Sequence, residues 1–111
     1  MKIAIVGSRN LTVDNIEKYV SECDELVSGG AIGVDFCVSE YARKNNVKLT
    51  EFLPEYTRYG KAAPILRNRQ IVNYADKIIV FWNGSSKGTL SVINYAKKIG
   101  KDIEVIILKQ P

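Results

Sequence analysis

The strongest constraint on this chain is a set of short apolar runs that leave no face for water. KIAIV (2–6) ends in Gly7, and KIIVFW (77–82) ends at Asn83. A strand wetted on one side alternates polar and apolar residues, whereas a strand covered on both faces does not. Runs at 25–28, 47–53 and 103–108 read as three further strands. Between them lie segments with helical spacing. Val13, Ile16, Val20 and Cys23 form one stripe, behind Thr12 as N-cap and with Asp14 and Glu17 in the early turns. Val34, Cys37, Val38, Tyr41 and Ala42 follow the i, i+3, i+4, i+7, i+8 template. Pro64 opens a third helix that runs to Ala75, and Thr89 to Ile99 forms a fourth with Gly100 as its cap.

Strands and helices that alternate in this way predict a parallel sheet with helices on both faces. Right-handed crossovers then give an α/β, doubly wound, Rossmann-like sheet of five strands in order 3-2-1-4-5. Residues 54–63 show no period and read as a long loop, suited to close over a ligand. No repeat or linker divides the chain, so 1–111 reads as one domain.

The chain has no histidine. That removes Ser-His-Asp and Cys-His mechanisms, and leaves a carboxylate, lysine or tyrosine as any general base. Two cysteines, Cys23 and Cys37, cannot supply a four-ligand zinc site, and they read as reduced, buried core residues. No cofactor and no metal are expected. The net charge of +4 mildly favours anionic partners. No apolar run approaches the roughly 18 residues of a membrane span. IAIVG is too short for a signal peptide core. The expected location is cytoplasmic, with no membrane partner.

In a doubly wound sheet, ligands bind beyond the carboxyl ends of the strands, where the strand order reverses. Three loops meet there. Gly7-Ser8-Arg9-Asn10 follows strand one. SGGAIGVD (28–35) follows strand two, with Gly29, Gly30 and Gly33 closed by Asp35. Asn83-Gly84-Ser85-Ser86-Lys87-Gly88-Thr89 follows strand four. Glycine-rich turns at helix starts bare backbone N–H groups to an anion. Ser8, Ser85, Ser86 and Thr89 add hydroxyls, and Arg9, Arg67 and Lys87 add charge. In RNR (67–69), Arg67 and Asn68 lie one turn into their helix, within reach of the sheet edge, while Arg69 turns elsewhere. The fingerprints GxGxxG after strand one and GxxxxGK[ST] are both absent, so neither ordinary NAD binding nor P-loop hydrolysis is supported.

GSRNLT, VSGGAIGVD, YGKAAPILRNR and GSSKGT, in this order and spacing, resemble the YspA/YpsA-related branch of the SLOG superfamily, named for SMF/DprA and LOG proteins. The resemblance spans nearly the whole chain. It implies a Rossmann-like domain that binds nucleotides or nucleotide-derived ligands. It places the site at Gly7, Ser8, Arg9, Gly29, Gly30, Asp35, Arg67, Asn68 and Gly84 to Thr89. It also implies pairing of two copies through helices.

LOG enzymes cleave nucleoside monophosphates with a glutamate in GGxGTxxE. Here SSKGTLSV keeps Gly88-Thr89 but has Val92 at the glutamate position. A valine is neither base nor charge stabiliser. DprA proteins share a segment like VSGGAIGVD and bind single-stranded DNA. Tyr56, Tyr59 and Trp82, near Arg58, Lys61 and Lys87, could stack bases in that way.

The leading expectation is therefore a nucleotide-binding domain, of the kind a sensor uses, with Asp35 as a helix cap or ribose contact. The alternatives are a nucleotide-cleaving hydrolase using Asp35 or Glu55, and a single-stranded nucleic-acid binder.

Overall fold

The computed structural model describes residues 1–8, 11–13, 15–20, 23–29 and 33–108, apart from the Asp35 side chain. Strands β1 (Lys2–Gly7), β2 (Glu25–Ser28), β3 (Lys48–Glu51), β4 (Lys77–Trp82) and β5 (Asp102–Ile107) form one parallel sheet. Its order is β3-β2-β1-β4-β5, as the alternation of elements predicts. The helices are α1 (Glu17–Val20), α2 (Val34–Lys44), α3 (Tyr56–Tyr59), α4 (Ala63–Tyr74) and α5 (Lys87–Lys98), with a 3-10 turn at Gly60–Ala62.

The apolar runs divide their side chains between two cores. Ile3 and Ile5 of β1, Leu26 of β2, and Ile79 and Phe81 of β4 point to one face. There they meet Ile16 and Val20 and the Val34, Val38 and Ala42 stripe of α2. Ala4, Val27, Ile78 and Val80 point to the other face, onto Ile71 and Val72 of α4 and Val92, Ile93 and Ala96 of α5. Successive residues of a strand face opposite ways, so a run buried on both sides must be apolar throughout. Tyr19 meets Phe81 edge to face, with ring centroids 5.1 Å apart.

Three expectations need correction. The first helix does not start behind Thr12; among the described residues, regular helix covers Glu17–Val20, and Asp14 lies outside them. Leu11 is fully buried, and its N–H donates to the Ser8 carbonyl, which folds this connection onto the sheet before any helix begins. The stripe itself survives, since Ile16 and Val20 are buried and Val13 and Cys23 pack at the core margin. Second, residues 54–63 are not structureless: they hold α3 and the 3-10 turn. Neither element buries a residue, so no apolar period marked them. Third, Cys23 and Cys37 are free but only half-buried, at the edge of the first core.

Helix ends follow local chemistry. Gly100 takes a φ of 75°, while its N–H and that of Lys101 donate to the carbonyls of Lys97 and Ala96. This is the Schellman pattern, closed by a glycine that the sequence marks. Among the described residues, no helix is long and apolar enough to cross a membrane.

At the amino edge of the sheet lies a buried carboxylate. Glu25 opens β2 and is 7% exposed. It accepts hydrogen bonds of 2.6 Å from both Thr50 Oγ1 and the Tyr74 hydroxyl. Lys48 Nζ stands 3.5 Å away. The Thr50 hydroxyl, then the Tyr74 hydroxyl, hold the carboxyl below the usual glutamate range. A lowered folded-state pKa contributes stability above the unfolded value of about 4.3, which is lost as pH falls through the folded value. Glu25→Gln should therefore destabilise the protein by about 1–3 kcal/mol at neutral pH. In urea titrations, the gap to the wild type should close as the pH drops below about 4. A gap independent of pH would show that the charge is not what holds this edge.

Candidate functional site

At the carboxyl edge, the ends of β1 and β2 and the starts of α4 and α5 enclose a cleft of about 170 Å³. Gly7 and Ser8 come from β1 and its end, Gly29 follows β2, Arg67 and Asn68 stand on α4, and Ser86, Gly88 and Thr89 belong to the start of α5. One wall is apolar, made by Val6, Pro64 and Ile71.

Arg67 reaches across the cleft. Its Nη1 donates to the Gly29 carbonyl at 2.9 Å, and its Nε donates to Asn68 Oδ1 at 2.8 Å. A Cβ on Gly29 would lie 2.5 Å from Nη1 and 3.0 Å from the guanidinium carbon. Glycine here is the space in which the guanidinium sits. Gly7 is different: a Cβ there would lie 2.4 Å from Val34 Cγ2, inside the first core.

The floor is a chain of hydroxyls. The Asn83 N–H donates to Ser8 Oγ at 3.3 Å, and Ser8 Oγ lies 3.3 Å from Thr89 Oγ1. Thr89 Oγ1 donates to Ser86 Oγ at 3.2 Å. With the Thr89 proton spent on Ser86, the Ser8 hydroxyl must donate to Thr89. The chain then runs one way, and the Ser86 hydroxyl hydrogen is its terminal donor. Ser8 is 2% and Thr89 4% exposed, so both are anchored.

The loop before α5 holds its own shape. Asn83 Oδ1 accepts from the N–H groups of Ser85 and Ser86, at 2.9 and 2.8 Å. The Trp82 indole N–H donates to the Ser86 carbonyl at 3.1 Å. Ser86 caps α5 by accepting the Thr89 N–H on its side chain. The positive end of a twelve-residue helix therefore opens beside Arg67.

Of the residues singled out from sequence, the fold gathers Gly7, Ser8, Gly29, Arg67, Asn68, Ser86, Gly88 and Thr89 around this cleft. Gly84 and Ser85 form the turn beside it without lining it. Gly33 starts α2 with a φ of 78° and also stays out of the lining. Lys87 lines a groove on the outer face instead. Arg9 and Gly30 lie outside the described residues, as does the Asp35 side chain. Val92 is 2% exposed in the second core, so it faces no ligand. Sequence reading missed the apolar wall, because Val6, Pro64 and Ile71 carry no chemical signal of a site. Of the aromatics, Tyr56 is exposed and Tyr59 carries the Arg58 guanidinium 5.1 Å from its ring. Among the described residues, no carboxylate lines the cleft, and there is no cluster of acidic, cysteine or histidine side chains suited to a metal.

The fold has a solved likeness. DNA processing protein A (DprA) from Streptococcus pneumoniae matches 97% of this chain with a TM-score of 0.74 and 23% sequence identity. The match covers 50% of that protein, so this chain spans about half its length. Identity at that level speaks for the fold. No protein-family model matches the chain, and no curated protein matches it.

The two glycines give a paired prediction. Gly7→Ala overpacks a stiff valine and should cost about 1–3 kcal/mol of stability. Gly29→Ala meets only the far end of a flexible side chain, so its thermal midpoint should stay near the wild type while Arg67 is driven from its seat. If a phosphate ester binds in this cleft, its affinity should then fall by about tenfold, the loss of one charge-assisted hydrogen bond. Calorimetric titration and thermal melts of both variants read the two effects separately.

Proposed function

We propose that residues 1–111 form one SLOG-like domain that binds the phosphate end of a nucleotide or nucleotide-derived small molecule in this cleft. The observation that carries the reading is Arg67. A guanidinium seated on the Gly29 carbonyl, beside the open start of α5 and the Ser86 hydroxyl, gives charge and donors aimed at one small volume. The lining among the described residues holds no carboxylate, which fits an anion. At about 170 Å³ the cleft is smaller than the roughly 300–1,000 Å³ of pockets that enclose a whole ligand. It suits a phosphate with part of its sugar, with the base lying beyond the rim. Binding is favoured over cleavage by the LOG-type route, because Val92, at the position of the LOG glutamate, is packed in the core.

A second reading, single-stranded nucleic acid, takes support from the fold neighbour, which is named for DNA processing. The same phosphate-directed groups would serve a strand end.

Trp82 is the single tryptophan and is hydrogen-bonded to the Ser86 carbonyl, so its fluorescence is a local probe. Titration with nucleoside monophosphates, triphosphates, NAD, ADP-ribose and oligothymidylate should change that emission for one nucleotide class. Arg67→Gln should weaken that binding by about tenfold or more. A nucleoside without phosphate that binds as well would sink the reading. Oligothymidylate binding that falls steeply with salt, without any response to mononucleotides, would favour the second reading. Released base would instead show an enzyme.

A further inference from the structure

The positive charge of this chain is unevenly spread. Helices α4 and α5 carry Arg67, Arg69, Lys87, Lys97 and Lys98 and not one acidic residue over their twelve residues each. Arg67 turns into the cleft. On the outer face, Arg69, Lys87 and Lys98 line a groove of about 390 Å³ that shares no residue with the cleft. Among the described residues no carboxylate lines it, and Leu90, 38% exposed, sits among the three cations.

Two details make the groove a poor surface for this chain alone. Lys87 occupies the first turn of α5, where the helix dipole opposes a positive charge. An anion beside it relieves that repulsion. Leu90 presents an apolar side chain in the middle of a cationic surface. Along α5, Lys87 and Lys98 stand eleven residues apart, about 16 Å or three turns.

We propose that the α4–α5 face docks an acidic segment of a partner protein, whose carboxylates meet Arg69, Lys87 and Lys98 and whose apolar side chain covers Leu90. The mixed chemistry selects the occupant. A nucleic-acid strand wants open aromatic faces on which bases stack. The one aromatic here among the described residues, Tyr95, has the Arg69 guanidinium 5.4 Å from its ring centre, and its hydroxyl donates to Asn73 Oδ1 at 2.9 Å. Three cations are also few beside the roughly 6–10 phosphate contacts of ordinary DNA binders. A short helix with acidic residues flanking one apolar position matches both the length and the charges.

The test uses a fluorescent peptide of glutamate and leucine at helical spacing, with oligothymidylate as the rival. The wild type should bind the peptide, and Arg69→Glu and Lys98→Glu should each weaken it by about fivefold. Leu90→Ala should weaken it too. Both charged positions lie on the outer face, so circular dichroism should stay unchanged, as should nucleotide binding in the cleft. That last readout separates this inference from the proposed function, which Arg67→Gln tests on its own. Peptide affinity that ignores Arg69→Glu and Lys98→Glu would overturn the inference. So would oligothymidylate binding more tightly than the peptide and responding to the same substitutions, since the groove would then be a nucleic-acid surface.

Discussion

The structure depends on the burial of β1 and β4 on both faces. These two strands pair from Ile3 with Lys77 to Gly7 with Phe81 and fill the centre of the sheet. Parallel strands of this kind cannot be joined by tight hairpins, so each must be followed by a crossover that returns over one face. The two cores, one under α2 and one under α4 and α5, are what those crossovers build. The same geometry brings the starts of the following helices to one edge, and the cleft is the gap between them.

The strands were readable because double-sided burial leaves a run with no polar break. The longer helices were readable because their stripes meet a core, and Gly100 because only its φ closes that cap cheaply. What escaped had no such mark. α3 buries nothing, so its sequence carries no period. The first helix was overextended because Leu11 is held by tertiary packing, which a local stripe does not report.

The cleft was half legible. Loops at the carboxyl edge must converge, whatever their side chains, and this placed Ser8, Ser86 and Thr89 correctly beside one another. The contact of Arg67 with the Gly29 carbonyl joins residues 38 apart in sequence, and no spacing rule gives it. Lys87 shows the limit of reading a loop as a block. It stands between Ser86 and Gly88, which both face the cleft, yet one step of about 100° round the helix sends it to the outer groove.

The Glu25 network has a consequence for how such a chain can change. It ties the first residue of β2 to α4 through Tyr74 and to β3 through Thr50, all toward the amino edge. The cleft occupies the opposite edge. The Glu25 network and the cleft lining thus share no residue, and substitutions in the carboxyl-edge loops leave that anchor intact. A scaffold divided in this way is evolvable: the loops at its carboxyl edge can be exchanged while the same sheet persists beneath them.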